Sequence, residues 1–213
     1  MLTKIKSSPS SLFENVNQEF GWYAGHPGQN LWPSDRASGA YIFRPVPQYP
    51  EYFAKQNVGT YAFVYKGPIV HEVHQFIYPG WVSQVIRTYD NDPDIEFEWL
   101  IGPIPISDGI GKEIITSYTC PSLTSRNTFY TDSNGRQMIR RDKDYRPTWT
   151  LNKTEPVSEN YYPVNSRISV VNQNSGQFEQ MTILTDRSQG GTSMNEGQVC
   201  YQLVLIQVPY YIS

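Results

Sequence analysis

The stretch Ile95-Glu96-Phe97-Glu98-Trp99-Leu100-Ile101 decides how this chain reads. Strand side chains alternate with a period of two, so Ile95, Phe97, Trp99 and Ile101 share one face. Glu96, Glu98 and Leu100 share the other. A face of two aromatics and two isoleucines is a core face, and the strand that carries it needs a second layer to cover it. The surroundings repeat the pattern. Tyr61 to Tyr65, Ile69 to Ile77 and Val82 to Tyr89 read as strands, separated by Lys66-Gly67-Pro68 and Tyr78-Pro79-Gly80. Glu113 to Tyr118, Ile168 to Val171 and Phe178 to Leu184 continue the series. Asn134-Gly135 marks a hairpin, because a type I′ turn needs positive φ at both central positions. Asp108-Gly109 and Asn174-Ser175-Gly176 carry similar turn chemistry. Short strands with frequent turns predict an all-β chain folded as one large antiparallel β-sandwich. Ala24 to Ser38 and Pro45 to Val58 break the pattern and read as long surface loops or as the rim of a cleft.

Composition narrows the function classes. The 213 residues carry 17 Lys and Arg against 20 Asp and Glu, a net charge of −3, so no basic surface for nucleic acid is expected. No apolar run approaches the roughly twenty residues that span a bilayer, so no membrane partner is expected either. MLTKIKSSPSSLF at the start has no apolar core of a signal peptide. Aromatics reach 14%, with 16 Tyr, 9 Phe and 5 Trp, enough to support a sizeable core rather than disorder. Fifteen Gly and 16 Pro leave little room for long helices. Cys120 and Cys200 are too few for a disulfide framework and too far apart for a CxxC clip; whether they pair is open. Asn152-Lys153-Thr154 is a glycosylation acceptor triplet, and its polar, turn-prone setting places Asn152 at the surface.

Few residues offer chemistry. His71 and His74 have a metal-friendly spacing on a helix, but in a strand residues i and i+3 point to opposite faces. Glu96 and Glu98 share a strand face, which suits either a carboxylate pair or an ordinary solvated strand face. Arg136, Arg140, Arg141 and Arg146, near Asp142 and Asp144, suit either an anion grip or a surface ion network. No GxSxG, HExxH, phosphate-binding glycine loop or Cys–His signature is present. Local chemistry supplies no self-sufficient active site, and no catalytic residue or metal ligand is assigned.

Longer words carry a resemblance. Phe129-Tyr130-Thr131-Asp132-Ser133-Asn134-Gly135-Arg136 resembles a signature of family 38 glycoside hydrolases, especially α-mannosidases of the lysosomal type. It continues through Asp144-Tyr145-Arg146-Pro147-Thr148-Trp149, Thr154-Glu155-Pro156-Val157 and Asn160-Tyr161-Tyr162-Pro163-Val164-Asn165-Ser166-Arg167. Leu184-Thr185-Asp186-Arg187-Ser188-Gln189-Gly190-Gly191, and upstream Ser38-Gly39-Ala40-Tyr41-Ile42-Phe43-Arg44-Pro45 and Ile101-Gly102-Pro103-Ile104-Pro105-Ile106, fit in the same order. Together these words run from about Phe20 to Gln198.

The resemblance implies a retaining, zinc-dependent α-mannosidase that removes terminal mannose from N-linked oligosaccharides in a lysosomal or secretory lumen. It also implies an α/β catalytic domain and a helical bundle that this sequence lacks. On this reading the chain is part of a C-terminal, galactose-mutarotase-like β-sandwich, incomplete at both ends. The zinc ligands and nucleophile belong to the other domains, and His26, His71 and His74 match no zinc motif of the family. Tyr41, in the Ser-Gly-Ala-Tyr word, is the candidate sugar contact, since tyrosine offers a stacking face and a hydroxyl. The alternative for Tyr41 is a buried strand tyrosine with a satisfied hydroxyl. Asp132 and Asn134 are explained by turn chemistry. Asp186 and Arg187 either order a loop against the catalytic domain or pair with each other. Residues 1–198 form the expected partial sandwich. Residues 199–213 depart from the family pattern and are expected to be a divergent tail, such as a truncated gene model. The competing function is a carbohydrate-binding or structural β-sandwich without catalysis.

Overall fold

The alternating pattern resolves into strands throughout a computed structural model, which describes residues 2–6, 13–39, 41–46, 48–53, 61–78, 80–173 and 179–206. In chain order they are β1 (Leu2–Lys6), β2 (Phe13–Ala24), β3 (Glu51–Tyr52), β4 (Tyr61–Lys66) and β5 (Val70–Tyr78). Next come β6 (Val82–Tyr89), β7 (Asp92–Ile101), β8 (Lys112–Thr119), β9 (Thr128–Ser133) and β10 (Gln137–Asp142). The last are β11 (Tyr162–Val164), β12 (Arg167–Val171), β13 (Gln180–Leu184), β14 (Gln189–Thr192) and β15 (Gln198–Ile206). Short 3-10 turns lie at Pro33–Asp35 and Ser158–Asn160. The Asn174-Ser175-Gly176 turn, Phe178, Pro79 and residues 207–213 lie outside the described residues.

Three antiparallel sheets result. The long sheet has the order β1-β2-β8-β15-β14-β11, with β3 added beside β2; the others are β10-β9-β12-β13 and β4-β5-β6-β7. In the segment expected to diverge, β15 lies between β8 and β14 and pairs with β8 from Gln198↔Thr119 to Ile206↔Lys112. The β9–β10 turn has the expected geometry. Asn134 and Gly135 have φ of 51° and 70°, and the Ser133 carbonyl accepts the Arg136 amide at 2.9 Å.

Both four-stranded sheets pack on the same face of the long sheet. Val16, Tyr118, Val199 and Tyr201 of the long sheet meet Phe129, Ile168 and Val170 of the β9 sheet. Phe20 and Ile114 meet Val82 of β6 and Trp81 in the turn just before it, with Trp99 and Ile101 packed alongside. Each fully buried Val, Ile or Phe among them contributes about 1.5–3 kcal/mol. Between the two cores runs a polar seam. The Gln18 and Gln84 side chains exchange hydrogen bonds at 3.0 and 2.8 Å, and Gln84 also donates to Gln75 at 2.6 Å. On the opposite face of the long sheet, Tyr23, Ile115 and Cys200 pack with Val157, Phe43 and Tyr161. With both faces covered, β8 is buried along nearly its whole length. Cys120 and Cys200 belong to different core clusters on opposite faces and are not paired with each other.

Candidate functional site: a buttressed aromatic rim

The segment between β2 and β3 forms a rim at one end of the long sheet. It folds back on itself through backbone bonds from His26 to Arg44 (2.8 Å), Ser38 to His26 (2.9 Å) and Val46 to Ala24 (2.9 Å). A tight turn is closed by reciprocal bonds between Gly39 and Ile42, at 2.9 and 3.0 Å. Tyr41 sits in that turn and is 100% exposed, so the alternative of a buried strand tyrosine does not hold.

Neighbouring residues fix the turn. Phe43, two positions on, lies edge-on to Tyr161 with ring centres 4.7 Å apart and edge-on to Tyr23 at 6.0 Å. Arg44 Nε meets Glu155 Oε1 at 2.7 Å, while its Nη1 donates to the carbonyls of Arg36 (2.7 Å) and Ser34 (3.2 Å). The Ser38 hydroxyl donates to the buried Glu113 carboxylate and accepts the Arg44 amide at 3.1 Å. The exposed phenol therefore stands on a backbone anchored to the sandwich. Leu31, Trp32, Val46 and Tyr49 of the same segment are exposed as well. Beside the Arg44–Glu155 pair lies a small pocket of about 230 Å³, lined by His26, Thr154 and Val157 among others. The His26 Nδ1 is buried without a hydrogen-bond partner among the described residues. A stacking face and hydroxyl groups at a fixed rim suit a polar, ring-shaped ligand such as a sugar.

The other candidates disperse. His71 Nε2 pairs with Asp90 at 3.1 Å and His74 Nε2 with Glu72 at 2.8 Å, and the two rings leave β5 on opposite faces. His26 is in the rim. Three histidines placed so do not fit a four-coordinate zinc. Among the described residues, no group of three or more His, Cys, Asp or Glu is placed to hold a metal ion. Glu96 and Glu98 are exposed, and Arg87 bridges Glu98 (2.6 Å), Glu72 (2.7 Å) and Glu96 (3.5 Å). Arg87 and its carboxylates form a surface ion network. The arginine group also fails to converge. Arg140 pairs with Asp142 at 3.1 Å, whereas Arg141 and Arg146 lie over the Tyr162 ring at 4.2 and 5.4 Å. Asp186 and Arg187 pair with each other at 2.6 Å on the surface.

Asp132 is 3% exposed and is a structural hub. Its Oδ2 accepts the Gly135 amide at 2.8 Å; its Oδ1 accepts those of Asn165, Ser166 and Arg167 at 2.8, 3.0 and 3.2 Å. Burial alone would raise this carboxyl, but the four amides outweigh it and hold it well below the usual carboxylate range. Asn152 is exposed, and the Thr154 hydroxyl of its triplet donates to Glu159 at 3.2 Å. Sequence reasoning assigned no role to Arg44, Glu113 or Glu155. The first and last lie inside quoted words, yet nothing local signals a pair 111 residues apart.

An antiparallel β-sandwich carrying this rim belongs to a defined class: the chain is a member of the family described as glycosyl hydrolases family 38 C-terminal domain, matched over residues 3–211. It is 47% identical over 201 residues to lysosomal alpha-mannosidase of Homo sapiens, covering 93% of this chain and 19% of that protein. It is 46% identical over 199 residues to lysosomal alpha-mannosidase of Bos taurus and 39% identical over 198 residues to alpha-mannosidase of Canavalia ensiformis, with the same coverage. The chain thus spans about a fifth of the length of these relatives.

Proposed function

We propose that this chain serves as the C-terminal β-sandwich portion of a retaining, zinc-dependent α-mannosidase. The substrate is terminal α-mannose of N-linked oligosaccharides, and the setting is a lysosomal or secretory lumen. The family membership, together with relatives named lysosomal alpha-mannosidase, supports the hydrolase reading. Among the described residues no group is placed to hold a metal ion, and on this reading the zinc and the catalytic carboxylates are supplied by an N-terminal catalytic domain and a helical domain of the longer enzyme. The chain's own contribution is positional. Tyr41, fully exposed on an anchored turn, is the observation that carries this role. Its ring and hydroxyl contact the mannose and help to hold it for the catalytic groups.

The test uses an aryl α-mannoside at acidic and neutral pH. The 213-residue chain alone is expected to be inactive with or without zinc, whereas the longer polypeptide that contains it hydrolyses the substrate. In the longer polypeptide, Tyr41→Ala lowers kcat/KM by about tenfold or more, the scale of one lost contact in the transition state. Its melting temperature stays unchanged, because an exposed side chain away from the core moves stability by only about 0.5 kcal/mol. Zinc-dependent turnover by the isolated chain would overturn the assignment. A longer polypeptide without mannosidase activity would favour the carbohydrate-binding alternative.

A further inference from the structure

A cleft of about 960 Å³ separates the two four-stranded sheets. Its floor is the long sheet, through Val16, Thr116, Tyr118 and Tyr201, and its walls are β7 and β13. Each wall is the terminal strand of its sheet. Consecutive residues line the cleft on both sides, 94–99 of β7 and 179–187 around β13. Side chains of both parities can border one cavity only where a strand presents its edge rather than a face. No backbone hydrogen bond joins β7 to β13 among the described residues. Two strand edges therefore face each other across a largely apolar floor; the Tyr201 hydroxyl donates to the Ile183 carbonyl of β13 at 3.1 Å, and among the described residues no further strand pairs along either edge.

We infer that this cleft receives an extended β-strand from the longer polypeptide to which the chain belongs, joining the two four-stranded sheets into one layer. An extended segment answers both features of the cleft: its backbone satisfies the edges, and alternate side chains cover the floor. Phe97 and Trp99 on β7, with Met181 and Ile183 on β13, fix its inward face as apolar. On the outward face its neighbours are Glu96 and Glu98 of β7, and Gln180 and Thr182 of β13, so polar and basic residues suit that side. The length of the relatives points to the source, since four-fifths of their sequence lies outside the matched stretch. The inference rests on the reading that the chain works within a longer enzyme.

Amide hydrogen exchange read by mass spectrometry tests it, on the 213-residue chain and on the full polypeptide encoded by its gene, each at two concentrations. Peptides covering Asp92–Ile101 and Gln180–Leu184 are expected to exchange more slowly in the full polypeptide by on the order of a hundredfold. Those from β6, paired on both edges, change little. If the two edges exchange alike in both proteins while other segments of the chain gain protection, the enzyme reading stands and strand insertion is wrong. If nothing in the chain changes, or the gene encodes no further segment, the enzyme reading fails together with the insertion. Edges already protected in the isolated chain overturn the proposal, and concentration-dependent protection there identifies the occupant as a second copy.

Discussion

The Asp132 carboxylate accepts the Gly135 backbone amide at 2.8 Å, so a buried charge closes the same turn in which Asn134 and Gly135 hold positive φ. Its other oxygen takes three amides from the turn before β12, locking the β9–β10 hairpin to the strand beside it. Asp132→Asn leaves one oxygen where two are needed and adds donors facing amides. The expected loss is about 2–4 kcal/mol by urea denaturation at neutral pH. The folded carboxyl lies below its unfolded value of about 3.9, so its contribution is complete above about pH 5. It is lost as pH falls through that value toward the folded one. The stability gap between the parent and Asp132→Asn should therefore narrow in acid; a gap independent of pH would contradict the assignment.

Two glycines with positive φ separate backbone strain from steric exclusion. Gly135 has nothing within 4 Å of an added Cβ, so Gly135→Ala should cost about 1–2 kcal/mol, the left-handed penalty alone. At Gly197 (φ 59°) an added Cβ would collide with the carbonyl of Cys120 and lie 2.7 Å from that of Leu123. Gly197→Ala should cost at least twice as much as Gly135→Ala in paired thermal melts. Equal losses would show that the loop around Cys120 yields.

The Cys200 thiol is buried against the Tyr161 hydroxyl at 3.4 Å, and burial pushes it up to about 12. Cys120 is buried in the other core. A chromogenic disulfide reagent at about pH 8 should label neither residue in the folded chain and both after unfolding in guanidinium. Rapid labelling of Cys200 in the native state would show that β15 opens far more readily than its central position implies.

Asn152 is exposed, and its triplet is complete. Expressed behind a secretion signal, the chain should run slower on a gel than its Asn152→Gln variant, and enzymatic deglycosylation should abolish the difference. Identical mobilities would remove the site.

Much of the layer structure was legible because its strands keep one face dry. β6 occupies the predicted Val82 to Tyr89, and Glu96, Glu98 and Leu100 point outward from β7 as alternation requires. β2 was harder to read, because Gln18 sits on its inward face between Val16 and Phe20, where the two glutamine side chains bond across the seam. A polar residue in a core row erases the period by which a strand is recognised. β15 pairs with β8 over some eighty residues of separation, which no local pattern records. The site was legible only in part. The word containing Tyr41 marked the rim, but its support by Arg44, Glu155 and Glu113 comes from residues far apart in the chain.

The shared wall has a mechanical consequence. Because β2 and β8 each contribute to both inner cores, neither four-stranded sheet can detach without exposing side chains on which the other depends. The two halves are thus bound into one cooperative block. Damage at Ile114 should be felt at Ile168, although the two lie in different sheets.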